Sequence, residues 1–174
     1  SSVERFDPKA GTWEALPPMS TQRHWPAAAV LAGQLCVCGG WDSEQVLSST
    51  ESFDPKFSFW EAMPEMLTQR FGPAASVLKG QLYVCGGFDG IHRLSSTERF
   101  DVARGMWEAF QPMSTPRESP AAAVVAGMLY VCGGNDGYQS LSSTERYDPA
   151  VGSWAPMPSM LLRREAAAAS AFAV

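Results

Sequence analysis

The sequence lacks the features that would indicate a nucleic-acid-binding or membrane protein. Its 174 residues contain more acidic than basic side chains, 18 against 13, for a net charge of -5. Without a positive field to attract phosphates, nucleic acid is not an expected partner. The longest apolar runs fall far short of the roughly 20 residues that a membrane-spanning helix needs. We therefore expect no membrane partner either.

Cysteine and histidine are also scarce, and the four cysteines are poorly placed for a disulfide or a metal site. Three of them recur just before a glycine pair and the fourth stands where the other copies carry tyrosine: Cys38, Cys85, Cys132 and Cys36. Equivalent positions in separate units do not converge, and only His24 and His92 could complete a zinc site. Zinc or a disulfide is the disfavoured alternative to buried, reduced thiols. We expect no cofactor and a reducing compartment, most simply the cytoplasm.

What the sequence has in abundance is repetition, with a period of 47 residues. The recurring positions are a glycine pair (Gly39 and Gly40, Gly86 and Gly87, Gly133 and Gly134), a tryptophan (Trp13, Trp60, Trp107, Trp154), a glutamate (Glu4, Glu51, Glu98, Glu145) and a methionine (Met19, Met66, Met113, Met160). Between the three complete copies, 21 of 47 positions are identical, and these form the structural framework. A period of this length indicates a supersecondary unit stacked on copies of itself.

Each copy carries the signals of four short strands and no helical periodicity. In the first complete copy these strands are predicted at residues 27–31, 34–38, 49–53 and 59–62, separated by glycine and Asp-Pro turns. Such a unit is a four-stranded antiparallel blade, and the fold class is an all-β propeller. Alanine runs are poor strand formers, so they predict the crowded innermost strand. The glycine pair allows close backbone approach, and the tryptophan fills the wedge between blades.

The recurring residues resemble the kelch repeat, in the version found in BTB-kelch proteins. The third copy carries the pattern most fully, in residues 129–137 and 143–149 together with Trp154 and Met160. The resemblance implies a β-propeller that binds another protein, and specifically the substrate-recognition propeller of a cullin-based ubiquitin ligase adaptor. A propeller that binds actin as a cytoskeletal scaffold is the alternative. A kelch-propeller enzyme is more remote, because the chain offers too few convergent ligands, and we do not expect an enzyme.

Counting the copies divides the chain into three complete repeats and a split one. Residues 1–18 are the end of a repeat, 19–65, 66–112 and 113–159 are complete, and 160–174 start another with its first strand. The split parts lack a second strand and a glycine pair, so we expect a fragment of a longer propeller, with a closed four-blade ring as the alternative. Open blade edges would favour self-association.

Topology predicts one face for binding. The connections between blades and the loops after the glycine pairs are expected on the same face. A recurring arginine lies on these connections, at Arg23, Arg70, Arg117 and Arg164. These arginines either pack and hydrogen-bond within the framework or grip the carboxylates of a partner. The recurring glutamates are expected to form a strand-end hydrogen bond or an ion pair between adjacent blades rather than a ring of catalytic acids, which would need convergent groups.

Residues that differ between blades are the better candidates for specificity. Aromatic and arginine side chains on loops held by a rigid framework are typical of protein-binding sites. The alternative is that these loops merely tolerate variation. Together with the arginines, the candidate partner-binding residues for a protein or peptide substrate are Arg23, His24, Trp25, Trp41, Arg70, Phe71, His92, Arg93, Arg117, Glu118, Tyr138 and Arg164.

Overall fold

The computed structural model describes residues 2–170, which form strands and turns without a helix. The strands are β1 (Val3–Asp7), β2 (Thr12–Leu16), β3 (Ala27–Leu31), β4 (Gln34–Cys38), β5 (Thr50–Asp54), β6 (Phe59–Met63), β7 (Ala74–Leu78), β8 (Gln81–Cys85), β9 (Thr97–Asp101), β10 (Met106–Phe110), β11 (Ala121–Val125), β12 (Met128–Cys132), β13 (Thr144–Asp148) and β14 (Ser153–Met157). Within these residues no helix of membrane-spanning length is present. The predicted strands lie within a residue or so of the observed ones.

Residues 2–170 form three four-stranded sheets and one two-stranded sheet. Strands β3–β6, β7–β10 and β11–β14 each form an antiparallel meander in chain order, and β1 pairs with β2. Each meander is one blade, and the predicted four-stranded blade is confirmed.

The alanine-rich strands lie innermost. Strand β7 contacts both β3 and β11, the first strands of the neighbouring blades. Residues of these three strands line a common channel of about 270 Å³. The small alanine side chains permit this approach, which is the packing reason that the sequence predicted for residues with low strand propensity.

The glycine pair joins each blade to the next. The N–H of Gly40 donates to the carbonyl oxygen of Arg70 at 2.8 Å, and Gly87 and Gly134 repeat this bond toward the following blades at 2.7 and 2.8 Å. Gly39 has φ +66°, and a Cβ there would overlap the same carbonyl oxygen. A side chain is therefore excluded both by conformation and by space.

The tryptophans fill the space between blades and also donate a hydrogen bond across it. The indole Nε1 of Trp60, Trp107 and Trp154 donates at 2.8–2.9 Å to Pro17, Pro64 and Gln111, each of which follows the outer strand of the preceding blade. Trp107 is 2% exposed within the core shared by the first and second complete blades. Trp13, on the two-stranded sheet, is 68% exposed because no described strand packs on that side.

The cysteines are mostly inside these shared cores. Cys36, Cys38 and Cys85 are buried and Cys132 is half-buried. Burial raises the pKa of the Cys85 thiol to about 12, with Thr97 and Arg70 opposing it weakly. At neutral pH this thiol is protonated and packs as a small hydrophobic group.

The first strand of a further repeat is predicted within residues 160–174. Residues 165–170 of this segment are exposed and carry no strand, and because the segment continues past the described residues the strand stays a prediction. Ser1 of the predicted segment 1–18 and residues 171–174 of the segment 160–174 lie outside the described residues.

Candidate functional site

The connections between blades and the loops after the glycine pairs share one face, as predicted. We call this surface the loop face; it comprises residues 17–26, 64–73, 111–120 and 158–166 together with 39–49, 86–96 and 133–143. Pairs of backbone hydrogen bonds join a connection to a loop at three equivalent places: His24 with Trp41, Phe71 with Phe88, and Glu118 with Asn135. The framework therefore holds the variable residues next to one another.

Three of the recurring arginines are in the interior. Arg70 and Arg117 are fully buried and Arg23 is nearly so, and they pair with Glu98, Glu145 and Glu51 at 2.9, 3.1 and 2.8 Å. Each Nη1 also donates to two backbone carbonyls, which for Arg70 belong to Gly86 and Ser96.

The predicted contact of these three arginines with a partner is therefore corrected. Side chains buried this deeply cannot reach a second protein, and the packing interpretation is the one that the geometry supports for Arg23, Arg70 and Arg117. Arg164 differs, because its side chain is exposed while its backbone keeps the recurring bonds to Leu141 and Gly134.

The glutamates complete the same unit. Glu51 accepts hydrogen bonds from the N–H and Oγ of Ser20 at 2.8 and 2.7 Å as well as from Arg23. The hydrogen bonds and the ion pair thus fasten the connection between two blades to the blade that follows it; the sequence predicted a strand-end hydrogen bond or an ion pair between adjacent blades. Burial alone would raise the pKa of Glu51, but the bonds from Ser20 and Arg23 outweigh it and hold the pKa below its usual range. The same balance, with Ser114 and Arg117, lowers the pKa of Glu145.

A second backbone device, which the sequence did not reveal, surrounds the mouth of the channel. Equivalent residues in successive repeats all have left-handed backbone: Trp25, Gly72, Ser119 and Ala166, with φ of 54°, 57°, 52° and 52°. The N–H of each donates to the carbonyl of the preceding one, at 3.0 Å from Gly72, 2.7 Å from Ser119 and 2.9 Å from Ala166. In the sequence, only Gly72, the second of these residues, indicated a left-handed backbone.

This row of hydrogen-bonded, left-handed residues holds Trp25 at the surface. Its indole is 53% exposed, and its ring centroid lies 6.2 Å from that of Phe71 in the next connection. A tryptophan in left-handed conformation is uncommon and is held here by the bond that Gly72 donates to its carbonyl. The framework thus fixes an exposed aromatic side chain near the channel axis.

Beside the aromatic pair lies a depression of about 310 Å³. Its walls also include Arg93, Glu118 and Glu165. Arg93 Nε donates to Glu118 Oε2 at 2.9 Å, and its guanidinium lies 5.1 Å from the centre of the Phe88 ring. We call this depression the aromatic–acidic cavity.

The second carboxylate of the cavity is held by neutral donors. Asn135 Nδ2 and Ser140 Oγ both donate to Glu165 Oε2, at 2.8 and 3.0 Å. These hydrogen bonds hold the pKa of Glu165 below its usual range. Glu165 was not among the predicted site residues, although it is the equivalent of Glu118, which was.

The remaining predicted residues are exposed on the loop face outside the cavity. The ring of His24 lies 5.9 Å from that of Trp41 with the two planes tilted by 50°, and both residues are exposed. Tyr138 is 97% exposed at the tip of its loop, and His92 is exposed on the neighbouring loop. The loops that carry them are fastened by Asp42, Asp89 and Asp136, each of which accepts two backbone N–H bonds. Their contact with a partner stays a prediction.

Comparison with known proteins agrees with this architecture. The family model described as the Kelch motif matches residues 1–20, 23–67, 69–114 and 116–161. The solved structure of YjhT superimposes with a TM-score of 0.79 over 92% of this chain, at 16% sequence identity, which is a likeness of fold alone. The chain spans 59% of the length of YjhT. No curated protein matches the sequence.

Proposed function

The chain belongs to the Kelch motif family, and from that premise we propose that it is a protein-recognition module whose loop face binds a segment of another protein. The observation that supports this most directly is the exposed Trp25, paired with the half-buried Phe71 in the wall of the aromatic–acidic cavity. Exposed tryptophan on a rigid framework supplies contact area at little entropic cost, and such residues are typical of binding hot spots.

The more specific role that we propose is substrate recognition for a cullin-based ubiquitin ligase, in the cytoplasm. The support is the residue pattern of the repeats, which resembles the BTB-kelch version at residues 129–137 and 143–149. Buried, protonated thiols such as Cys85 are compatible with a reducing compartment. In this role the loop face would hold the protein to be ubiquitinated.

Affinity capture with matched variants tests the recognition role. Trp25→Ala removes the exposed indole and places at residue 25 the side chain that Ala166 carries at the equivalent left-handed position, so the backbone is expected to tolerate it. Phe57→Ala is the control, because Phe57 is 73% exposed in the turn between β5 and β6, away from the loop face. Quantitative mass spectrometry should show proteins that are lost with Trp25→Ala and retained with Phe57→Ala. Identical captures from both variants would refute the placement of the site.

A cellular measurement tests the ligase role separately. Proteins captured through the loop face should accumulate when the gene that encodes this chain is deleted, and also when cullin neddylation is inhibited. Unchanged levels in both conditions would leave recognition in place and remove the ligase role.

A further inference from the structure

Half of the arginines of the loop face are buried in the interior. Arg23, Arg70 and Arg117 are buried against glutamates and present no charge to solvent. Among the described residues of the loop face, the charged side chains that remain at the surface are seven carboxylates (Asp42, Glu44, Glu65, Asp89, Glu118, Asp136, Glu165) and three guanidiniums (Arg93, Arg163, Arg164). The face is therefore acidic, and a partner that it attracts is basic at the contact.

The aromatic–acidic cavity places two of these carboxylates, Glu118 and Glu165, beside the exposed ring of Trp25. Glu118 uses Oε2 for Arg93 and Glu165 uses Oε2 for Asn135 and Ser140. In the part of the chain that the structure describes, the Oε1 atoms of both carboxylates carry no hydrogen bond and remain available to a donor. The ring of Trp25 lines the same cavity. Carboxylate oxygens and an aromatic face are the two groups that a guanidinium binds best, because it is planar and donates in a fixed fork.

Resting on the proposed recognition role, we infer that the aromatic–acidic cavity takes an arginine side chain from the bound segment. The aliphatic stem of this arginine packs against Trp25 and Phe71, and its guanidinium donates to Glu118 and Glu165. A lysine carries the same charge but lacks the planar fork that would stack on the indole and reach both carboxylates.

Substitution of Arg93 tests this inference, because the affinity should rise for a cationic side chain and fall for an anionic one. Arg93 already pairs with Glu118 at 2.9 Å, so it competes with an incoming cation for that carboxylate. Arg93→Gln removes the competing charge, and an arginine-containing segment should bind more tightly by about threefold, the size expected for a partly exposed charge pair. An anionic segment would instead bind more weakly. Arg163→Gln, on the same face but away from the cavity, controls for the change in net charge.

A peptide selection supplies the ligand. A random peptide library is selected on the intact chain, and binders are kept only when Trp25→Ala abolishes their binding. We expect the retained peptides to share an arginine. Replacement of this arginine by citrulline, which is similar in shape and neutral, should weaken binding by about tenfold, as expected for lost charge-assisted hydrogen bonds. Glu165→Gln should weaken binding by about fivefold, whereas Glu44→Gln, on the loop face outside the cavity, should have no effect.

The outcomes separate this inference from the recognition role. Three results would overturn the arginine site and leave recognition by the loop face in place. The first is a set of Trp25-dependent peptides that share no arginine, the second is replacement of the arginine by lysine without loss of affinity, and the third is tighter binding of the peptides to the unmodified chain than to Arg93→Gln. A selection that yields no Trp25-dependent peptide would count against both.

Discussion

Replacement of Arg70 by methionine should cost this fold about 4 kcal/mol of unfolding free energy. The guanidinium is fully buried and donates to Glu98 at 2.9 and 3.1 Å, to the carbonyls of Gly86 and Ser96 at 2.7 and 3.0 Å, and to the Ser96 hydroxyl at 2.9 Å. Removal of one partner from a buried pair typically costs about 3–5 kcal/mol, because the other charge stays desolvated. The two orphaned carbonyls add to this cost.

The chain contains a matched control for this change. Arg164 is the equivalent residue of a later repeat, but its side chain is exposed, so Arg164→Met should change stability by less than about 0.5 kcal/mol. Urea unfolding followed by tryptophan fluorescence measures both variants, provided that the slope with urea stays constant. Losses that differ by less than about 1 kcal/mol would refute the interior role of the recurring arginine.

A second substitution separates the charge from the packing. The backbone N–H groups of Leu67 and Thr68 donate to Oε2 and Oε1 of Glu98, and Glu98→Gln keeps an acceptor for one of them while it removes the stranded charge. The double variant of Arg70→Met with Glu98→Gln should therefore recover about 1–2 kcal/mol relative to Arg70→Met alone. A double variant no more stable than Arg70→Met would mean that the stranded charge is not the main cost.

Three further changes test other parts of the fold by urea unfolding. Trp107→Ala should cost about 3–5 kcal/mol because the ring is buried between blades, whereas Trp13→Ala should cost less than about 1 kcal/mol; equal losses would contradict the wedge role. Gly86→Ala should cost about 3 kcal/mol or more, because its Cβ would overlap a carbonyl of the next blade, whereas Gly105→Ala, also at positive φ but in open space, should cost about 1 kcal/mol; similar costs would remove the contact argument. Glu51 has a lowered pKa in the folded state. As pH falls below about 4.3, the usual pKa of glutamate, the unfolded state therefore binds a proton at this residue before the folded state does. The free energy of unfolding that Glu51 contributes above this pH is lost as pH falls through the folded-state pKa. Glu51→Gln should flatten this decline, and an unchanged decline would show that another group causes it.

The blades were predictable because the contacts that define them are periodic. The glycine pair and the tryptophan each make one bond to a neighbouring blade, as Gly40 does to Arg70 and Trp107 to Pro64. Every blade must satisfy the same bond, so the same residue returns at the same interval. Each repeat in this sequence therefore gives independent evidence for the same blade structure.

The position of the arginines was not predictable from the same signal. A recurring Arg70 is expected whether it supports the framework or binds a partner, since periodicity does not report burial. The glutamate that recurs 28 residues later, Glu98 in that repeat, favours the framework role over partner binding. That Glu98 pairs with Arg70 depends on how the connection between blades folds onto the blade that follows it. The left-handed backbone at Trp25 was not predictable either, because among the equivalent residues only Gly72 is of a type that indicates positive φ. The charge of the loop face follows from these burials and so emerges only in three dimensions.

Recognition through the loop face is tested most directly by the affinity of a captured partner for the chain before and after Trp25→Ala, measured by calorimetry alongside Phe57→Ala. We expect Trp25→Ala to weaken binding by about tenfold or more while the melting temperature is unchanged, and Phe57→Ala to bind as the unmodified chain does. Full affinity in Trp25→Ala together with a loss in Phe57→Ala would place the binding surface on the opposite face and contradict the proposed function.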